Sequence, residues 1–226
     1  MKRYIFPLIL GLGGVAILLS LGVWQVKRLH WKEALLASIN ARIGAMPAEL
    51  ASVGAPDEAS QRYLPVSVKG ATTGQEFLVI TGSRDAGAGY EVIDAFVTDT
   101  GRRVMLDRGF IPEADRTKPR PPADLTVTGN LDWPREADSY TPPPDPATGV
   151  WFARDVSAMA DFLKTDPLLV VVRTSEGGDP AIVPVPVDTS AIPNDHLQYA
   201  ITWFSLAAVW AGMTAYLLWR IRQRTV

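Results

Sequence analysis

The sequence YIFPLILGLGGVAILLSLGVWQV at residues 4–26 contains no charged side chain and no histidine, and the same holds for LQYAITWFSLAAVWAGMTAYLLW at residues 197–219. Each run is 23 residues long, which at about 1.5 Å rise per residue is enough helix to cross a hydrocarbon core of about 30 Å. A helix buried in a soluble domain is rarely apolar on all sides over such a length. We therefore expect transmembrane helices at 4–26 and 197–219, an exported domain at 27–196 and a tail at 220–226.

The first run also shares a feature with secretory signal peptides, because Lys2 and Arg3 precede it. Its apolar segment is longer than the roughly 7–15 residues of a signal-peptide core, and no small-x-small cleavage site follows it. We interpret it as an uncleaved anchor. No Arg- and Ser-rich presequence stands before it, which favours a bacterial inner membrane over an unprocessed mitochondrial precursor.

The distribution of charge predicts the orientation of the spans. Basic residues flank the spans on the side of the chain termini: Lys2, Arg3, Arg220, Arg222 and Arg224. An excess of Lys and Arg marks the cytoplasmic side, so both termini are expected in the cytoplasm, although Lys27, Arg28 and Lys32 weaken the signal of the first span. The region between the spans holds all 24 acidic residues and 17 basic ones, a net charge of −7. An acidic exported domain is unsuited to binding nucleic acid.

The exported domain begins as a helix and continues as strands. Residues 27–46 carry apolar side chains at helical spacing, whereas later segments alternate or are β-branched. The predicted strands are Tyr63–Ala71, Glu76–Thr81, Tyr90–Thr98, Arg103–Ile111, Leu125–Leu131 and Leu168–Arg173. We also predict a short helix at Asp155–Leu163 and, because of its alternating prolines, an edge segment at Ile182–Val187. The predicted fold class is an α+β membrane protein, in which two transmembrane helices form a hairpin around one mainly antiparallel β exported domain.

Composition excludes much enzyme chemistry. The chain has no cysteine and two histidines, His30 and His196, so the interior of the exported domain offers no Ser-His-Asp triad, histidine base or His/Cys zinc site. Carboxylate pairs such as Asp57/Glu58 and Asp94/Asp107 are interpreted as surface charge. We expect a protein that is not an enzyme.

Both histidines lie beside a predicted span, His30 after the first and His196 before the second. A neutral imidazole can ligate haem iron, aromatic side chains suit the macrocycle, and interfacial basic residues can pair with its propionates. The nearby candidates of these types are Trp24, Arg28, Tyr199 and Trp203. The alternative is that each histidine only anchors its helix at the interface, and the spacing alone favours this interpretation.

Motifs spread along the chain resemble the Surfeit-locus family of cytochrome c oxidase biogenesis proteins, which includes the Shy-type protein of yeast. They are LGVWQVKRLHWK at 21–32, GY at 89–90, DRGFIP at 107–112, WFARD at 151–155 and NDHLQYAITWF at 194–204. Each motif is moderately specific by itself, but their order and the two flanking spans make the resemblance strong. It covers the chain from the first span to the second.

The resemblance implies an assembly factor that binds haem a transiently and assists its insertion into the haem-containing subunit of the oxidase. Bacterial relatives look like haem a binders with a histidine at the start of the second span, which corresponds to His196 as the iron ligand. His30 as a second ligand is a further hypothesis. The implied partners are that subunit, other assembly factors, an enzyme of haem a synthesis and the lipid bilayer. The alternative is a membrane scaffold that stabilises an oxidase assembly intermediate without binding haem.

Overall fold

The computed structural model describes residues 2–83, 87–145, 148–190 and 192–223. Arg224, one of the basic residues that predict the orientation, lies outside the described residues, as does the rest of the tail after Gln223. The chain divides into two compact units. The helical unit comprises the described residues of Met1–Ser38 and Thr189–Val226, and the sheet unit is Ile39–Asp188.

The helical unit contains α1 (Lys2–Ile43, whose last turn belongs to the sheet unit) and α4 (His196–Gln223). Their most apolar 18-residue windows have mean hydropathies of 2.3 and 1.5, and only 11% and 6% of the residues in those windows are buried. The core helix of a soluble protein would be mostly buried instead. Both predicted spans are therefore helices long and apolar enough to cross a membrane. The predicted continuation of the first helix is also present, and it ends at Ile43 rather than at residue 46.

Glycines on α1 let α4 pack closely against it. A Cβ atom at Gly14 would lie 2.6 Å from Cε2 of Trp210, and one at Gly22 would lie 2.6 Å from Cε1 of Phe204. Gly11 approaches the side chain of Thr214 in the same way. As the residue number rises on α1 it falls on α4, so the two helices run antiparallel. Small residues allow such close approach between apolar helices.

Within the described ranges, the sheet unit has seven strands and two short helices. They are β1 (Ala48–Glu49), α2 (Glu58–Gln61), β2 (Pro65–Ser83), β3 (Gly87–Thr98), β4 (Arg103–Pro112), β5 (Asp124–Asp132), β6 (Val150–Trp151), α3 (Val156–Leu163) and β7 (Leu169–Glu176).

Five of these strands close into a barrel-like ring. The order is β2-β3-β4-β7-β5, and β5 also pairs with β2. The pairs β2–β3, β3–β4, β5–β7 and β2–β5 are antiparallel, as predicted, but β4–β7, β1–β2 and β2–β6 are parallel. The sheet is therefore mixed. The predicted strands Tyr63–Ala71 and Glu76–Thr81 are one long strand, β2, with an irregularity between Thr72 and Glu76 where the register with β3 shifts.

Strand alternation creates two buried layers. One face of β3, β4 and β7 contributes Phe96, Leu106 and Val170 to a cluster that also includes β2 and β5 side chains. The other face contributes Ile93, Met105 and Val171 to a cluster that is covered by α3. Because both faces are buried, these strands are apolar almost throughout, as is typical of strands covered on both sides.

Candidate functional site

His196 begins α4 and is the best-placed candidate ligand in the helical unit. Its Nδ1 lies 2.8 Å from Oε1 of Gln25 on α1. Gln25 is 8% exposed, one of the few polar side chains buried in the described part of the chain. His196 itself is partly buried. The two helices therefore meet at a polar contact at the end of the predicted spans.

The orientation of the Gln25 carboxamide, with Oε1 facing Nδ1, implies one tautomer of His196. A carboxamide oxygen can only accept, so Nδ1 carries the proton and donates it, which leaves the lone pair on Nε2. Histidines that ligate metals almost always donate their other ring N–H to an oxygen acceptor. The residues present therefore fit an axial haem ligand at Nε2 of His196.

The predicted aromatic partners on α4 differ in their placement. Trp203 follows His196 by seven residues, close to two full turns, so it shares the face of His196. It is partly buried, and Trp210, another seven residues on, packs against Gly14. Tyr199 is displaced by about 60° from His196 around the helix and is more than half exposed.

The predicted residues on α1 lie away from the face that carries Gln25. At about 100° per residue, Trp24 and Arg28 lie about 100° and 60° from Gln25 on one flank, and His30 lies about 140° away on the other side. The guanidinium of Arg28 stacks over the ring of Trp31, 4.1 Å from its centroid. The side chain of His30 is 72% exposed, and its Nδ1 is 3.5 Å from Glu33. The structure thus pairs His196 with Gln25, and it does not bring His30 to that contact.

The sheet unit contains a charge cluster that the sequence did not reveal. Arg154 lies 2.9 Å from Asp107 and 3.1 Å from Glu91, and it also hydrogen-bonds Glu136. Asp155, the next residue, caps α3 by accepting a hydrogen bond from the backbone N–H of Ala158. This cap fixes the backbone next to Arg154 and so helps to position the Arg154 side chain. One guanidinium therefore holds together β3, β4 and the segment that carries Glu136.

Three carboxylates share this one cation, and burial decides their protonation. Burial raises the pKa of Glu91 to about 7, and the neighbouring Asp107 adds to the effect. Burial also raises the pKa of Asp107 in spite of its bond to Arg154. For Glu136, burial acts in the same direction, but the hydrogen bonds and charge of Arg154 outweigh it and lower the pKa. The cluster therefore holds its negative charge most firmly at Glu136.

A buried ion pair also joins β3 to β4. Arg108 donates to Asp94 over 2.8 Å, and both side chains are almost fully buried. Burial raises the pKa of Asp94 to about 6, against the lowering effect of Arg108. The interpretation of Asp94 and Asp107 as surface charge is therefore wrong, whereas Asp57 is exposed.

Gly109, between Arg108 and Phe110, lies in β4 where the register with β3 shifts. Its φ of +116° and its closeness to Val183 and Pro184 leave no room for a Cβ. Phe110 and Val183 exchange backbone hydrogen bonds of 2.8 and 2.9 Å. The structure therefore places Arg108-Gly109-Phe110 in a strand irregularity with Arg108 buried. The edge pairing expected within Ile182–Val187 is present at Val183.

Among the described residues, no group of three or more His, Cys, Asp or Glu side chains is placed to hold a metal ion. A haem needs less from a protein, since its macrocycle supplies most of the iron's ligands and an axial side chain supplies the rest. The geometry of His196 therefore fits the requirement for a single axial ligand.

A sequence profile of the SURF1 family matches residues 12–208. The chain belongs to the SURF1 family. A SURF1-like protein of Monosiga brevicollis is 31% identical over 216 residues, which cover 88% of this chain and 82% of the relative. Surfeit locus protein 1 of Xenopus tropicalis is 29% identical, with coverage of 84% and 68%, and that of Homo sapiens is 28% identical, with coverage of 84% and 70%. The family recognised from the sequence motifs is confirmed.

The SURF1 match spans both structural features described above. It includes Gln25 and His196 in the helical unit and the Arg154 cluster in the sheet unit. Four of the motifs that carried the resemblance meet in two pairs: DRGFIP supplies Asp107 to Arg154 of WFARD, and, within the helical unit, Gln25 of the first motif contacts His196 of the last. The spacing along the chain gave no sign of either contact.

Proposed function

We propose that this SURF1-family chain is a biogenesis factor of cytochrome c oxidase that holds haem a transiently at His196 and passes it to the haem-containing subunit. The observation that supports this most directly is the hydrogen bond from Nδ1 of His196 to Gln25, which leaves Nε2 free to ligate iron. Membership of the SURF1 family supports the oxidase as the target through the resemblance described above.

The chain's own residues have distinct parts in this proposal. His196 supplies the axial nitrogen, and Trp203, on the same face, supplies apolar surface beside it. To the side of Gln25 on α1 lie Arg28, whose cation can pair with a propionate, and the half-exposed Trp24. Tyr199 lies to the side of His196 on α4 and is also half-exposed. The rings of Trp24 and Tyr199 can cover the edge of the macrocycle. Haem a, when bound, is cargo and supplies the iron that the oxidase needs. The chain itself catalyses no reaction in this proposal.

The proposal places α1 and α4 as a transmembrane hairpin in a bacterial inner membrane. Both termini lie in the cytoplasm and the sheet unit lies in the periplasm. Two observations support the hairpin: the glycines of α1 contact side chains of the antiparallel α4, and both helices are little buried. The charge distribution supports the orientation. The sheet unit then provides the surface for the oxidase subunit and other assembly factors, including an enzyme of haem a synthesis.

The haem content of the purified protein tests the proposal. We expect full-length protein from cells that make haem a to show a haem absorbance band, and His196→Ala to lose most of it because the axial nitrogen is gone. His30→Ala is the matched control, and it should keep the band because His30 lies on another face of α1. A colourless wild-type preparation that still carries oxidase subunits would refute haem binding and support the scaffold alternative.

The topology has its own test. A reporter that is active only in the periplasm, fused near Gly149, should be active, because that residue lies between the two spans. The same reporter fused after the last residue should be silent. Activity of a cytoplasm-only reporter at Gly149 would contradict the orientation.

A further inference from the structure

We infer that Gln25 is a positioning residue, which holds the ring of His196 in the Nδ1–H tautomer with Nε2 directed away from α1 for a ligand. The part of this inference that concerns a bound haem rests on the proposed function. The part that concerns the tautomer does not, because it follows from the contact between the two side chains alone.

Gln25 lies where its carboxamide needs a hydrogen-bond partner. It is buried on α1 at the end of a run that has no charged residue from Tyr4 onwards. Burying a carboxamide without a hydrogen-bond partner is costly, and His196 Nδ1, at 2.8 Å, is such a partner. The hydrogen bond to the imidazole therefore offsets the free-energy cost of burying the Gln25 carboxamide.

The packing of the two helices preserves this contact. At about 100° per residue, Gly11, Gly14 and Gly22 lie within about 60° of Gln25 around α1, so all four residues share the face that meets α4. The glycines allow side chains of α4 to approach the α1 backbone. The short distance between the helices keeps Gln25 and His196 in register, and the ring is fixed from one side.

The hydrogen bond at Nδ1 also determines the chemistry of Nε2. The partner of one ring nitrogen decides which nitrogen carries the proton, so an acceptor at Nδ1 leaves Nε2 as the basic atom. An acceptor behind a ligating histidine also raises its basicity, and loss of such a partner typically lowers metal affinity about 10–100-fold. Gln25 is thus expected to act on any ligand of His196 without touching it.

The tautomer is measured directly by NMR on full-length protein in lipid nanodiscs. The chain has two histidines, so ¹⁵N-histidine labelling of a His30→Gln variant leaves His196 as the only signal. At a pH near 8.5, where an unperturbed imidazole is neutral, we expect the proton on Nδ1. In Gln25→Met, which keeps a side chain of similar length, the signal should shift toward the Nε2–H form. A wild-type signal from the Nε2–H form, or an unchanged signal in Gln25→Met, would overturn the inference.

The haem-loaded protein gives the second readout. Gln25→Met should bind haem about 10–100-fold more weakly, whereas Gln25→Glu should keep binding and show a lower iron reduction potential, because a carboxylate accepts more strongly from Nδ1–H. Gln198→Leu, on the exposed side of α4, is the matched control and should change neither. Unchanged affinity and potential in both Gln25 variants would overturn the positioning role. A colourless wild type would refute the proposed function, and the NMR experiment would then decide the role of Gln25 by itself.

Discussion

Replacement of Arg154 by methionine is expected to lower the free energy of unfolding of the sheet unit by about 3–5 kcal/mol at neutral pH, the range observed when one partner of a buried ion pair is removed. The substitution leaves Asp107 and Glu91, both largely buried, without the cation that compensates them. The measurement is amide hydrogen exchange of the full chain in micelles, followed in peptides from β3 and β4.

The loss should shrink as the pH falls, because protonation removes the uncompensated charges. The pKa of Glu91 is already raised to about 7 with Arg154 in place, and loss of the cation raises it further. Arg135→Met is the matched control, since the Arg135 side chain is 78% exposed and its pair with Glu58 is a surface one, worth about 0–1 kcal/mol. Equal effects of the two substitutions would show that the Arg154 cluster does not stabilise the sheet unit.

Replacement of Gly109 by alanine is the second substitution with a large expected effect. The positive φ adds backbone strain of about 1–3 kcal/mol, and the new Cβ, placed 2.6 Å from Cα of Pro184, forces the Val183 segment away at a similar further cost. We expect amide exchange to become faster at Phe110 and Val183, whose mutual hydrogen bonds would break, and then in β4.

Gly101→Ala separates the two causes. Gly101 also has a positive φ, of +81°, but no atom lies within 4 Å of a Cβ built there. Its replacement should cost only the backbone strain and leave exchange at Val183 unchanged. If Gly109→Ala had no larger effect than Gly101→Ala, the close approach of Val183 to β4 would not be a feature of the protein in solution.

The sequence predicted the two helices of the helical unit well, because the absence of charge over 23 residues is a property of consecutive residues and depends on no distant contact. Local sequence also predicted β5, through its apolar alternation, and β3 and β4, through their nearly continuous apolar runs. The continuity of β2 was not predicted because Thr72–Gln75 has the polar composition of a turn, whereas β2 pairs with β3 on both sides of this irregular segment. The parallel placement of β7 beside β4 depends on contacts distant in sequence, which no local pattern encodes.

The candidate site was predicted in part. The sequence showed that His196 lies at the start of an apolar helix. It did not predict the contact with Gln25, which lies 171 residues away along the chain. The prediction that Asp94 and Asp107 are surface charge is wrong because it rests on the average exposure of charged residues. Only the fold shows which arginines compensate these two carboxylates. A useful signal was available, because both aspartates sit within otherwise apolar strands, where a charged side chain needs a buried partner.

The closed ring of strands limits how another polypeptide can engage the sheet unit. Each of β2, β3, β4, β5 and β7 already has a hydrogen-bonded neighbour on either side, so along these pairings the backbone donors and acceptors that an incoming extended peptide would use are taken. Another polypeptide must then recognise side chains and loops on the outside of the barrel, or first displace a strand. Substitutions that abolish recruitment without unfolding the protein should therefore map to exposed side chains, and not to the rims of the sheet.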